Sequence, residues 1–146
     1  MNKKKKQPKV LNTPAPDKTP KFIERTSNDA DSISWSFSMI DNDGPWGFNS
    51  ICRNRLHELL TSELKNKESL NWAQLKQSGS HNVEKYQLIK DAQERLCMLR
   101  LEDLDELFSL RISGKERIWG IRHGNILKIM WWDPDHEICP SHKKNT

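Results

Sequence analysis

Three short apolar runs separated by tight turns constrain the fold of this chain more than any other feature. Residues 107–112, 116–123 and 126–132 are rich in Ile, Leu and Trp, and each run has the length of a single β-strand. The three residues 113–115, of sequence Ser-Gly-Lys, separate the first two runs, and Gly124-Asn125 separates the last two. Both connections have hairpin length. The pattern therefore predicts a three-stranded antiparallel meander.

The segments before the meander predict one strand and two to three helices. Residues 33–40 alternate apolar and polar side chains, as a half-buried strand does. Residues 48–66 repeat apolar side chains at helical spacing, and a short helical piece carries Trp72. Another helix is predicted from residue 83 to about residue 100, with Asn82 as its N-cap. This order predicts an α+β fold in which the helices pack on one face of the sheet.

The basic character of the chain is concentrated at its N-terminus. Of the 24 basic and 20 acidic residues, eight and two lie in residues 1–25, which leaves the other 121 residues with a net charge of −2. The proline-rich, lysine-rich composition predicts a disordered basic arm at 1–27, followed by a single domain over 28–141 and a tail at 142–146. Because this domain is net negative, an anionic partner would be recognised by a local cluster of basic side chains.

The sequence favours a cytoplasmic protein with no membrane partner. No run of eighteen apolar residues is present, and no apolar segment of the kind a secretory signal needs follows the first lysines. The three cysteines are an odd number without tight spacing, which fits a reducing compartment.

The turn lengths predict which side chains share a face of the meander. They place Arg111 opposite Arg117. The predicted helix-facing side chains are Leu110, Ile118, Leu127, Ile129 and Trp131. The predicted opposite face carries Arg111, Arg117, Trp119, His123, Lys128 and Trp132. Cations interleaved with aromatic rings suit a nucleic-acid backbone and its bases. The alternative interpretation is a solvated face on which arginines pack against tryptophans.

Metal-ligating residue types follow the last run. His136, Cys139 and His142 stand three residues apart. Two prolines in this segment favour a coil or short strand over a helix, so the spacing alone does not bring the three side chains together. Nothing in the sequence supplies an activating environment for the thiol of Cys139 as a nucleophile. The sequence therefore predicts no metal and no other cofactor.

The element order and the hairpin sequence resemble a known superfamily. Residues 110–117, Leu-Arg-Ile-Ser-Gly-Lys-Glu-Arg, are similar to the L-R-x-G-x-x-R-like hairpin that toxins of the RelE/ParE superfamily of toxin–antitoxin systems often carry. Residues 135–139 are loosely similar to the His-Arg-x-x-Tyr-like segment that ends their last strand. The resemblance covers about residues 83–139, and its motifs are short.

The resemblance implies an activity and the residues that carry it. RelE-like members are endoribonucleases that cut mRNA without metal, commonly on the ribosome, and a cognate antitoxin neutralises them. Arg111 and Arg117 would then clamp the scissile phosphate, and His136 would act as general acid or base, for which its ordinary pKa near neutrality is suitable. Alanine at any one of the three should lower cleavage roughly 100-fold. The supporting binding residues would be Trp119, His123, Lys128 and Trp132.

Two hypotheses therefore follow from the sequence. The first is a RelE-like endoribonuclease of mRNA. The second is a non-catalytic module that binds protein or nucleic acid, or a gyrase inhibitor of the ParE-like kind on the same fold. A binding module predicts association with nucleic acid that weakens with salt and yields no cleaved product.

Overall fold

The computed structural model describes residues 28–140, within which five strands form one sheet. The strands are, in chain order, β1 (Ser34–Ser36), β2 (His81–Glu84), β3 (Glu106–Ser113), β4 (Glu116–His123) and β5 (Ile126–Asp133). Their spatial order is β1-β5-β4-β3-β2, in which β1 runs parallel to β5 and the other neighbours are antiparallel. The α+β class and the meander β3-β4-β5 are confirmed. The predicted arm at 1–27 and tail at 142–146 lie outside the described residues.

The helices are short and lie between β1 and β3 in the sequence. They are α1 (Arg53–Glu58), a π-helical stretch (Leu59–Leu64) continuing into α2 (Lys65–Lys67), α3 (Trp72–Gln77) and α4 (Lys90–Met98). A capping box starts α3, because Asn71 Oδ1 accepts a hydrogen bond from Gln74 N while Asn71 N donates to Gln74 Oε1. Within residues 28–140 no helix is long and apolar enough to cross a membrane.

The prediction of a helix starting at residue 83 is wrong, because residues 81–84 form β2. Val83 pairs with Leu107 of β3 and is buried, while its neighbours Asn82 and Glu84 are exposed. Backbone pairing with β3 and burial of Val83 thus override the local capping signal of Asn82. The helix begins only at Lys90. As a result β2 extends the meander and forms one edge of the sheet.

Helices cover both faces of the sheet, so the prediction that they pack on one face is wrong. One buried cluster joins Ala92 and Leu96 of α4 to the sheet residues Val83, Leu107, Trp119 and Trp131. The other joins the π-helical stretch and α3 to the sheet residues Phe108, Leu110, Ile118, Leu127, Ile129 and Trp132. We call the sheet face that α4 covers the α4 face, and the opposite sheet face, which α3 covers, the α3 face. With both faces buried, the sheet is the central layer of the domain.

The register of the meander agrees with the prediction at its first hairpin and departs from it in the second. Arg111 lies opposite Arg117 as predicted, although the chain turns at Gly114-Lys115 and carries an irregularity before Ser113. In the second hairpin the predicted pairs hold from His123 as far as Gly120, where the register shifts. Beyond the shift the pairs are Trp119 with Trp131, Ile118 with Trp132, and Arg117 with Asp133. This bulge leaves Met130 as the extra residue of β5. It also exchanges the predicted faces of Trp131 and Trp132.

Gly120 is required where β4 passes the bulge. A Cβ at this position would lie 2.4 Å from the carbonyl oxygen of Lys128, a backbone atom that cannot swing away. We expect Gly120→Ala to lower the free energy of unfolding by about 3 kcal/mol, measured by urea denaturation. Gly114→Ala is the control, since a Cβ there meets nothing within 4 Å. Its positive φ should cost only about 1 kcal/mol. Equal losses in the two variants would contradict the role given to the bulge.

A buried ion pair ties the loop after β1 to α4 and β5. Asp41 is 5% exposed, and its carboxylate accepts hydrogen bonds from Arg95 Nε at 2.8 Å and Nη2 at 2.7 Å. The same carboxylate accepts bonds from Trp131 Nε1 at 3.0 Å and from the backbone N of Gly44 at 3.2 Å. Four donors thus satisfy one buried carboxylate.

Candidate active site

A row of charged side chains crosses one end of the α4 face. Arg117 in the middle strand pairs with Arg111 of β3 on one side and with Asp133 of β5 on the other. Directly paired residues of antiparallel strands point to the same face, with Cβ atoms roughly 5 Å apart. Two guanidinium groups and one carboxylate therefore share a small area of this face.

Arg117 is held in place by the first hairpin. It is 9% exposed, and its Nη1 donates hydrogen bonds to the carbonyl oxygens of Gly114 at 2.7 Å and Glu116 at 3.0 Å. Burial, and then the positive charge of Arg111, lowers the pKa of Arg117, while Asp133 acts in the opposite direction. A guanidinium still remains protonated at neutral pH. Arg117 is therefore a fixed cation in a partly desolvated position.

Arg111 is exposed and lies against the turn before β2. A Cβ on Gly79 would be 2.9 Å from Arg111 Cδ, and Gly79 has a φ of +106°, which favours glycine. The backbone N of Arg111 donates to Ser80 Oγ at 2.9 Å. The glycine thus leaves room for the guanidinium of Arg111, which remains accessible to a ligand.

Asp133 shapes the loop that follows β5. The residue is fully buried, and its carboxylate accepts hydrogen bonds from the backbone N of Glu137 at 2.9 Å and of Ile138 at 3.1 Å. Trp119 Nε1 donates to it at 3.2 Å. His136 therefore lies in a short loop that is fixed on one side by Asp133 and on the other by the hydrogen-bonded backbone of Glu137 and Ile138, and its φ is +57°. Asp133 is a site residue that the sequence prediction did not include.

His136 lies close enough to the charged row to be influenced by it. Burial, and then the positive charge of Arg117, lowers the pKa of this imidazole from its ordinary value of 6.5. His81 also lowers the pKa, and Asp133 opposes the shift. A lowered pKa makes the neutral imidazole, which can accept a proton, the main form at pH 7. The three predicted catalytic residues, Arg111, Arg117 and His136, are therefore brought together in space.

His81 is a site residue that the sequence prediction missed. It lies in β2 opposite Ser109, on the same face as Arg111 and about 7 Å along the strand from it. The prediction began a helix at residue 83 with Asn82 as its N-cap, so His81 had no assigned face. The only local signal of a strand was the apolar Val83 between the polar residues Asn82 and Glu84.

The four predicted binding residues do not join this site. Trp119 and Trp132 are 1% and 4% exposed, and the bulge places them in the two opposite cores. The prediction that both rings lie on one exposed face is therefore wrong, and neither ring can stack on a base. His123 and Lys128 share the α4 face with Arg117, yet His123 is roughly 20 Å along β4 from it and Lys128 pairs with Ile121, roughly 13 Å away.

The site has the composition of an anion-binding surface with acid–base groups. Two guanidinium groups suit a phosphodiester, and two imidazoles are groups that can donate or accept a proton. Burial raises the pKa of the Cys139 thiol, which disfavours the thiolate a nucleophile needs. Within residues 28–140 no group of three or more His, Cys, Asp or Glu side chains could hold a metal ion, and His142 lies outside that range.

Comparisons of the chain with protein-family models, with curated proteins and with solved structures find no match.

Proposed function

We propose that this protein is a RelE-like endoribonuclease that cleaves mRNA in the cytoplasm without metal and is neutralised by a cognate antitoxin. The observation that carries the proposal is the convergence of Arg111, Arg117 and His136. These residues come from two strands and a loop, and they meet at one end of the α4 face. The hairpin and element order that resemble the RelE/ParE superfamily support the same assignment.

The residues present fit cleavage by an internal hydroxyl. In this reaction a base removes the proton of the ribose 2′-hydroxyl, and the 2′-oxygen attacks the adjacent phosphorus. Arg111 and Arg117 stabilise the additional negative charge of the phosphorane. His136, with its lowered pKa, is the base. The products are a 2′,3′-cyclic phosphate and a 5′-hydroxyl, and no metal ion takes part.

The binding-module hypothesis is less well supported than the nuclease. Its aromatic stacking platform depended on Trp119 and Trp132, which are buried. A gyrase inhibitor would need no acid–base group, whereas this site carries His136, in a loop whose next two residues are hydrogen-bonded to Asp133, close to Arg117.

Induced expression in cells tests the proposal. We expect the wild type to arrest growth and to create new mRNA 5′-hydroxyl ends. The positions of these ends within the reading frames will show whether cleavage depends on translating ribosomes. The purified protein should retain cleavage in EDTA. The double variant Arg111→Ala/His136→Ala should neither arrest growth nor create new mRNA ends, and a cognate antitoxin should suppress both effects of the wild type. Growth arrest without new mRNA ends would overturn the nuclease and favour the gyrase or binding-module alternatives.

A further inference from the structure

We propose that His81 is a second catalytic residue, the general acid that protonates the leaving 5′-oxygen while His136 acts as base across the Arg111–Arg117 pair. This inference rests on the proposed nuclease function. It assigns the one chemical role that the residues of the sequence-predicted site leave unfilled.

The placement of His81 supports this role. β2 is an edge strand, and the side chain of His81 is exposed on the face that carries Arg111. A polymer can therefore reach it from the open side of the sheet. Its Nδ1 lies 3.4 Å from the carbonyl oxygen of Gly79, the residue against which Arg111 packs. With a proton on Nδ1, this nitrogen donates a hydrogen bond to the carbonyl oxygen of Gly79, and Nε2 is left for the substrate.

The two imidazoles belong to one electrostatic group. A positive charge on His81 or on Arg117 lowers the pKa of His136. The two histidines come from different elements, β2 and the loop after β5, and the arginines of β3 and β4 lie between them in the strand order. A phosphodiester held by the two arginines would therefore have His81 on its β2 side and His136 on its β5 side.

This arrangement completes the proton balance of the reaction. His136 takes the proton from the 2′-hydroxyl as the bond from the 2′-oxygen to phosphorus forms. His81 gives a proton to the 5′-oxygen as the bond from phosphorus to that oxygen breaks. The enzyme ends with the proton on the other histidine, and solvent exchange restores the starting state. No water, oxidant or metal is consumed.

A leaving group that needs no proton distinguishes a general acid from other roles. We would compare two short RNA substrates that differ at one atom, the bridging 5′-oxygen or a sulfur in its place, because a thiolate leaves without protonation. His81→Gln should lower cleavage of the oxygen substrate about 100-fold, while cleavage of the sulfur substrate stays within about threefold of wild type. His57→Gln, at an exposed histidine of α1, is the matched control and should leave both rates unchanged.

The outcomes separate the two proposals. Both substrates are offered free and bound to ribosomes; if the wild type cleaves neither substrate in either form, the nuclease function fails and this inference with it. If the wild type cleaves both and His81→Gln cleaves the oxygen substrate equally well, only the role of His81 is overturned. If His81→Gln loses cleavage of both substrates to the same extent, His81 is not the proton donor.

Discussion

Replacing Arg111 with alanine is expected to lower RNA cleavage about 100-fold without destabilising the fold. The guanidinium is exposed and faces Arg117, so its removal deletes charge stabilisation of the phosphorane and little packing. The positive charge of Arg111 lowers the pKa of Arg117, which means that the two cations repel each other when no anion is bound. The thermal midpoint of Arg111→Ala should therefore equal or exceed that of the wild type.

Single-turnover cleavage and thermal unfolding of the same preparations test this expectation. Arg53→Ala is the matched control, because Arg53 is an exposed arginine at the start of α1, and α1 leads into the π-helical stretch that packs on the α3 face. Arg111→Lys should recover part of the rate, since it restores the charge but not the forked geometry of a guanidinium. Wild-type cleavage by Arg111→Ala, or a loss in Arg53→Ala of the same size, would contradict the assignment of the site.

Replacing Asp41 with asparagine is expected to lower the free energy of unfolding by about 3 kcal/mol, which corresponds to a fall of roughly 10 °C in the thermal midpoint. The change leaves the Arg95 guanidinium, only 17% exposed, without its buried counter-ion. It also replaces one acceptor oxygen by an NH₂ group that faces donors. Three segments of the chain lose their common anchor: the loop after β1, α4 and β5.

Asp43→Asn is the control for Asp41→Asn, because it makes the same chemical change on an exposed residue of the same loop. Its effect on unfolding should stay within about 0.5 kcal/mol. Urea denaturation of the three proteins gives the comparison. Equal effects of the two substitutions would show that the Asp41–Arg95 pair does not stabilise the fold.

The same pair makes stability depend on pH. The hydrogen bond from Arg95 lowers the pKa of Asp41, more than burial raises it. A carboxyl whose pKa is lower in the folded state contributes stability above its unfolded pKa of about 4 and loses it as the pH falls towards the folded pKa. The stability difference between wild type and Asp41→Asn should therefore be largest above about pH 5 and shrink in more acidic solution. A difference that is constant with pH would contradict this origin.

The sequence was sufficient to locate the meander and to pair Arg111 with Arg117. Both depend on short connections, and a tight turn fixes the register of the residues next to it. The tertiary structure shows that the first hairpin turns at Gly114-Lys115 and takes up the extra residue within β3, so the pairing of the arginines does not change. The position of His136 after the last strand then brings it near the pair.

The sequence was not sufficient for features that depend on long-range contacts. β2 exists because Val83 packs and pairs with Leu107, which is distant in the chain, and the local signal favoured a helix. His81 therefore had no predicted face. Burial of both sheet faces also requires α4 and α3 to pack on opposite faces, and this depends on many tertiary contacts together.

Local sequence was enough to identify the strands at the C-terminal end of the described chain and the arginine pair at their first turn, because turn chemistry acts over a few residues. The faces of Trp131 and Trp132 and the pairing of Asp133 with Arg117 depend instead on tertiary packing. One extra residue in β5 reverses every face beyond it, and the bulge is stabilised by the cores on both sides rather than by local sequence.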